Sequence, residues 1–558
     1  MDVFFGISAS PGIGLGKAFV IPAAQSRTIP QGQISADEYA AHWARFQASL
    51  RNVSAQVEQD LAAVKGDKVQ GEIFETYFLM LNDPEFLGDV EKTFRAGSRP
   101  IERVLHEKTN EYADKLRNSG NDYLAERAQD ICDIFGRVLD DLLDFHPFDI
   151  NQVPDGAVIV AQAMAPSDTI ILSKRHIAGL ALEEGGVSSH VGILARNYGI
   201  PAVFALHQIS QHARTGHTVV VDGVAGEVVL NPDGESLADY ERSIAAYRQR
   251  GAELAAFRTK NAMTEDGTHI AMLANIGTVE EAALALEEGA DGIGLFRTEF
   301  LFMSENTFSE EAQFAAYKAV LQTMGEKPVT IRTLDAGGDK LVPMKDLLVH
   351  GEKNPLMGQR AIRLSLAHPQ QLRTQLRALY RASVFGNLKI MLPLITDLSQ
   401  VRRARDIARE VREALRSDGV PFREDVPIGI MVETAAAAVT ADLLASESDF
   451  FSIGTNDLTQ YTLGVDRENA TVAPLYDERH VAVLRLVRET LAHGTAAGIP
   501  VSVCGEMASR PDGAKILVGL GIRSLSMSPK LISATKALFA RHTLAELEAF
   551  AAQSLQTS

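Results

Sequence analysis

From His269 onward the chain repeats one pattern so regularly that few folds can contain it: a short apolar run, a polar residue that ends it, then a stretch with helical spacing. The runs are "HIAMLAN", "GIGLFRTE", "PVTIRTLD", "RAIRLSL", "LKIMLPLI", "PIGIMVET", "FFSIGTND" and "PVSVCGEM". Short apolar runs alternating with helical patterns read as parallel strands joined by crossover helices. Eight such runs predict a (β/α)8 barrel, whose usual size is about 250 residues. Chemistry in such a barrel sits at the C-terminal ends of the strands. Those ends carry Asn275, Arg297, Arg332, Glu433, Asn456 with Asp457, and Cys504, which together form one candidate site.

The barrel fills only part of a chain of 558 residues, too long for a single core. Near the N-terminus, "ISADE" holds Ser35 and Glu38 in capping-box spacing, and a helical pattern with few breakers follows. It continues through "LNDPEF", where Asp83 and Pro84 read as N-cap and first helical residue, and ends near "LLDFHPFD". From Val153 the texture turns to β-rich runs, "GAVIVA" and "HTVVVDGVAGEVVLNP", with glycine turns between them. We therefore expect a multidomain α/β protein: an α/β domain from residues 1–34 and 145–232, an inserted helical bundle at 35–144, a charged linker helix at 233–260 broken only by Gly251, and the barrel at 261–558.

Lys plus Arg number 54 against 72 Asp plus Glu, a net charge of −18 that repels nucleic acid and anionic membrane and can steer a basic protein partner. The two cysteines, Cys132 and Cys504, lie far apart in sequence, which argues for a reducing compartment. The opening residues carry Asp2 where a signal peptide would be basic, and no window holds about 18 uninterrupted apolar residues. A cytoplasmic protein is expected.

The segment "EEGGVSSHVGILARNYGIPAV" sets a titratable ring after two glycines and two serines. A helix starting at Ser189 and closing at Gly199 before Pro201 places His190 in its first turn. Unpaired N–H groups and the positive dipole end there disfavour imidazolium and favour a bound anion, conditions suited to a phosphohistidine. The alternative is a cap histidine beside an ordinary glycine turn. Arg196, six residues on, is off the same helical face and reads as a surface charge.

That segment resembles the phosphohistidine stretch of phosphoenolpyruvate-utilising enzymes. With it, "SASPGIGLGKA", "NIGTVEEA", "GLFRTEFLFM", "EEAQFAAYK", "RTLDAGGDK", "NPLMGQRAIR", "MVETAAA", "FFSIGTNDLTQYTLGVDR" and "CGEMA" are similar, end to end and in order, to the enzyme I family of the bacterial phosphotransferase system, the phosphoenolpyruvate-protein phosphotransferases. The resemblance implies a swivelling phosphohistidine α/β domain with an inserted HPr-binding helical subdomain, and a TIM-like (β/α)8 barrel that binds phosphoenolpyruvate and Mg2+ and forms a homodimer. Val187 and Ser188 stand where many enzymes of the family have a basic residue and threonine.

By the same resemblance His190 carries the phosphoryl group from phosphoenolpyruvate to the carrier HPr. Arg297, Arg332 and Arg467 hold phosphate, Arg360 lies in the matching "GQRAIR" segment, Asn456 assists, and Glu433 with Asp457 bind the metal. Two carboxylates suit Mg2+, which completes its octahedron with water and substrate oxygens. Cys504 matches the donor that protonates enolpyruvate at carbon, and a thiol of ordinary pKa, about 8.5, is mostly protonated at neutral pH. Asp335 and Lys340 either contact substrate or brace their loop. Thr169 either touches the active histidine or caps a helix. Glu72 to Met80 mixes carboxylates and apolar residues as a carrier interface would, with Phe74 and Phe78 reading as core.

Overall fold

The structure, a computed structural model, describes residues 1–21, 28–63, 68–117, 122–145, 153–164, 175–186, 190–302, 309–337, 354–467, 469 and 471–556. It contains two compact units, Met1–Gln249 and Arg250–Ser558.

The first unit is built on an eight-stranded sheet: β1 (Asp2–Phe5), β2 (Ile7–Ser10), β3 (Ile13–Val20), β4 (Val158–Ala161), β5 (Gly179–Leu182), β6 (Ala202–Phe204), β7 (Thr218–Asp222) and β8 (Glu227–Leu230). Their order is β1-β8-β7-β3-β4-β5-β6-β2, with β3 to β6 mutually parallel and the flanking pairs antiparallel. Glycine in "GIGLGK" has a packing reason. A Cβ on Gly14 would lie 1.7 Å from the Ala178 carbonyl oxygen, so only glycine lets β3 run against that loop.

Between β3 and β4 the described residues form five helices, α1 (Tyr39–Ala63), α2 (Lys68–Leu81), α3 (Pro84–Ala96), α4 (Ile101–Arg117) and α5 (Asp122–Leu143). The expected caps are present: Glu38 Oε2 accepts from Ser35 N at 2.8 Å, and Asp83 Oδ1 accepts from Glu85 N at 2.8 Å, with Pro84 opening α3. The block's core is aromatic, with Phe86 stacked on Phe135 at 4.1 Å and Phe74 and Tyr77 buried beside them; Phe78 packs at its margin. The helix His190–Asn197 joins two cores. Leu194 is buried with the helical block, while Val191 and Ala195 are buried with the sheet. The helix expected at 233–260 runs from Gly234 to Ala255 and passes through Gly251.

The second unit is a closed barrel of eight parallel strands: β9 (Ala271–Ile276), β10 (Gly292–Phe296), β11 (Pro328–Arg332), β12 (Asn387–Leu392), β13 (Ile428–Val432), β14 (Phe451–Ile453), β15 (Val501–Val503) and β16 (Ser524–Met527). Seven of the eight expected runs are strands, and one is not. "RAIRLSL" forms the helix Ala361–Ala367, whose buried residues Ala361, Ile362, Leu364 and Ser365 follow a helical face. The eighth strand is "SLSM". It escapes the apolar pattern because Ser526 is fully buried, its hydroxyl satisfied by donating to Asn275 Oδ1 at 2.6 Å. Most of the core lies between strands and outer helices, and a smaller cluster of Leu295, Met391, Met431, Phe450 and Cys504 is buried separately from it.

Candidate active site

Arg332 is the last residue of β11, and Arg360 precedes the helix Ala361–Ala367; both are buried. Arg332 Nη1 lies 3.1 Å from Asp335 Oδ2, and its Nη2 pairs with Glu299. Arg360 Nη2 lies 3.1 Å from Asp335 Oδ1 and 3.1 Å from Asp457 Oδ2, while Nη1 donates to Tyr461 Oη at 3.1 Å. Burial works against both guanidinium charges, but Glu299 and Asp335 around Arg332, and Asp335 and Asp457 around Arg360, raise both pKa values on balance. The Nε of each arginine is buried with no hydrogen-bond partner among the described residues. Two guanidinium groups held ionised, each with a spare donor, suit the binding of an anion.

The carboxylates come from the next strands. Glu433 follows β13, and its Oε1 accepts from Leu394 N at 2.6 Å, Leu394 holding a left-handed φ of 52°. Burial raises its pKa first, and the charges of Asp457 and Asp335 raise it further. Gly454 after β14 brings the next segment close, since a Cβ there would stand 3.0 Å from Glu433 Oε2. Asn456 and Asp457 then fall in the first turn of the helix Thr455–Leu463. Asp457 Oδ1 lies 3.6 Å from Arg467 Nη1. Asn456 is held by Glu506, whose N donates to its Oδ1 at 2.7 Å and whose Oε1 accepts from its Nδ2 at 3.3 Å.

Cys504 follows β15 and is buried with Leu295, Met391, Met431 and Phe450. Burial pushes its thiol up to about 11. Beside it, Asn275 Nδ2 donates to the Cys504 carbonyl at 2.9 Å. Arg297, just past β10, is half-buried and lines an open cleft of about 550 Å³ with Asn275, Glu281, Glu506 and Arg510.

The structure thus brings Arg332, Arg360, Glu433, Asp457 and Arg467 into one network, with Asn456, Arg297 and Cys504 at its borders. Sequence reasoning missed Glu299 and Tyr461 and left Asp335 open. The signal for Asp335 and Glu299 was a carboxylate within three residues of a strand-end arginine.

In the other unit, the described helix runs from His190; residues 187–189, and with them Val187, Ser188 and the expected start at Ser189, lie outside the described residues. Gly185 just upstream has φ of 113°, backbone that glycine adopts readily, and Gly199 ends the segment at φ 65°. Arg196 is not a free surface charge. It is part-buried, and its Nη1 donates to the Ala9 carbonyl at 2.7 Å, bracing the helix on β2. Thr169 and Lys340 also lie outside the described residues.

Three profiles match the chain: "PEP-utilising enzyme, N-terminal" over residues 5–127, "PEP-utilising enzyme, mobile domain" over 153–226, and "PEP-utilising enzyme, PEP-binding domain" over 251–544. A phosphoenolpyruvate-protein phosphotransferase from Bacillus sp. (strain S) is 41% identical over 553 residues, covering 97% of this chain and 93% of that one. One from Geobacillus stearothermophilus gives the same identity and coverage, and one from Bacillus subtilis (strain 168) is 37% identical over 563 residues, 100% of this chain and 98% of its own.

Proposed function

The chain belongs to the phosphoenolpyruvate-protein phosphotransferase family of PEP-utilising enzymes, and on that premise we propose that it moves the phosphoryl group of phosphoenolpyruvate through a phosphohistidine at His190 to a histidine of the carrier HPr, releasing pyruvate, as the first step of the sugar phosphotransferase system. The observation that carries the reading is the convergence of Arg332, Arg360 and Arg467 with Glu433 and Asp457, beside the buried Cys504 thiol, at the strand ends of one barrel.

Arg297, Arg332, Arg360 and Arg467, with the Asn456 amide, hold the phosphate and carboxylate of the substrate. Transfer breaks the bridging P–O bond and forms a P–N bond to the His190 imidazole, and the departing oxygen keeps the electron pair. The resulting enolate takes a proton at its methylene carbon from the Cys504 thiol, giving pyruvate. With its pKa pushed up to about 11, that thiol is in the donating form at neutral pH.

Glu433 and Asp457 offer two hard oxygen donors, and the way neighbouring carboxylate charges raise Glu433 is the repulsion that a divalent cation relieves. Two carboxylates leave the rest of an octahedral shell to water and substrate oxygens, which suits Mg2+. When bound, it neutralises phosphate charge as a Lewis acid.

The same reading makes the protein a homodimer through its barrel, for which exposed Val439 and Leu443 on the helices Ala435–Val439 and Ala441–Ala445 supply apolar surface to cover. It acts in the cytoplasm, without nucleic acid or membrane. A net charge of −18 and two free thiols support this, and among the described residues no helix is long and apolar enough to cross a membrane.

Incubation with phosphorus-labelled phosphoenolpyruvate, Mg2+ and HPr tests the proposal. Acid-labile, base-stable label is expected first on this chain and then on HPr, with one pyruvate per phosphoryl group. Label persisting on His190→Ala would overturn the assignment.

A further inference from the structure

We propose that Asp335 is a positioning residue of the phosphoenolpyruvate site: its carboxylate ties Arg332 to Arg360 and sets the spacing at which the two guanidinium groups meet the substrate. The inference rests on the assignment of both arginines to substrate binding made above.

Asp335 is fully buried in the loop that leaves β11. Its Oδ2 stands 3.1 Å from Arg332 Nη1, and its two oxygens stand 3.1 and 3.3 Å from Arg360 Nη2. The arginines reach it from different segments, one ending a strand and the other preceding a helix. Glu299 pairs with Arg332 and Asp457 pairs with Arg360, whereas Asp335 pairs with both. The backbone is built to the same end. Ala361 N donates to the Ala336 carbonyl at 2.9 Å, and a Cβ on Gly337 would stand 2.6 Å from the Gln359 carbonyl oxygen, so the Asp335 loop is pressed onto the Arg360 turn.

Two guanidinium cations in a buried site repel each other, and an anion placed between them both offsets that repulsion and fixes the angle of each planar fork. Without it, Arg332 is drawn toward Glu299 and Arg360 toward Asp457, and the forks no longer match one substrate.

The test compares Asp335→Asn and Asp335→Glu with wild type in the full-length protein. Loss of one charged tether from each arginine is expected to raise the KM for phosphoenolpyruvate about tenfold or more in the Asn variant, with a smaller fall in kcat. The Glu variant keeps the charge but shifts its position, and should raise KM by a smaller factor. Both should accept phosphate from phosphorylated HPr at the wild-type rate, because that exchange uses His190 and not the barrel. A structural role alone lowers the active fraction, and so lowers kcat with KM unchanged; that result overturns the inference. So does an unchanged KM in both variants, or in the Glu variant alone should the Asn variant fail to fold. Wild type that forms no pyruvate from phosphoenolpyruvate defeats the underlying reading instead, a result visible before any variant is compared.

Discussion

Arg360 Nη2 stands 3.1 Å from Asp457 Oδ2, so a guanidinium assigned to substrate and a carboxylate assigned to metal neutralise each other within the site. Arg360 is also a two-sided ligand, reaching Asp335 and Tyr461 in fixed directions.

Arg360→Lys keeps the charge and loses that planar geometry. We expect KM for phosphoenolpyruvate to rise about tenfold, roughly 1.4 kcal/mol, with a smaller change in kcat. Steady-state pyruvate release measures both.

Cys504→Ala removes the proposed proton donor and leaves the arginines in place. Phosphoenolpyruvate should bind as in wild type by calorimetry, while pyruvate forms about a hundredfold or more slowly. In wild type the thiol's pKa is pushed up to about 11, so this group keeps its proton through neutral pH, and turnover loses its contribution only as pH rises through that value. The stability sign agrees. A native thiol pKa above the unfolded value of about 8.5 gives stability that is present below pH 8.5 and is lost as pH climbs toward 11, which thermal melts of wild type against Cys504→Ala will register.

Glu433→Gln replaces a buried acid whose proton affinity is raised by burial, Asp457 and Asp335. Raised affinity means that this acid supports the metal-free fold below its unfolded pKa of about 4.3 and loses that support as pH rises. The amide has no such loss. At neutral pH the metal-free variant should therefore melt no lower than wild type, while Mg2+-dependent turnover disappears.

Gly14→Ala tests the close approach of β3. Its Cβ would stand 1.7 Å from the Ala178 carbonyl oxygen, and overpacking of that kind costs about 1–3 kcal/mol or more. The Met1–Gln249 unit should melt earlier, with transfer to HPr impaired, while phosphoenolpyruvate binding by the barrel is unchanged; calorimetry with and without substrate separates the two.

Much of the barrel was legible because its strands are apolar runs that end on polar residues, and the same break in pattern exposed Arg332, Glu433, Asp457 and Cys504. The errors share a cause. "RAIRLSL" reads as a strand because periodicity over so few residues does not separate a buried helix face from a strand, and "SLSM" escapes the pattern because a serine that hydrogen-bonds inside a barrel looks polar in sequence. The role of Asp335 was illegible for another reason: its partner Arg360 comes from another segment, and spacing along a chain is silent about such meetings. Arg196 was misread in the same way, its acceptor lying on β2.

The helix His190–Asn197 inserts Leu194 into the five-helix core and Val191 and Ala195 into the core of the sheet. A chimera that exchanges the helical block by cutting only where the chain leaves β3 and enters β4 therefore imports a foreign surface beneath Leu194. The exchangeable cassette has to include that leucine and Tyr198, which packs against both cores, even though they lie beyond the block's last helix in sequence. Exchanging the helical block is thus a two-segment graft, and the second segment is the one that begins with the histidine.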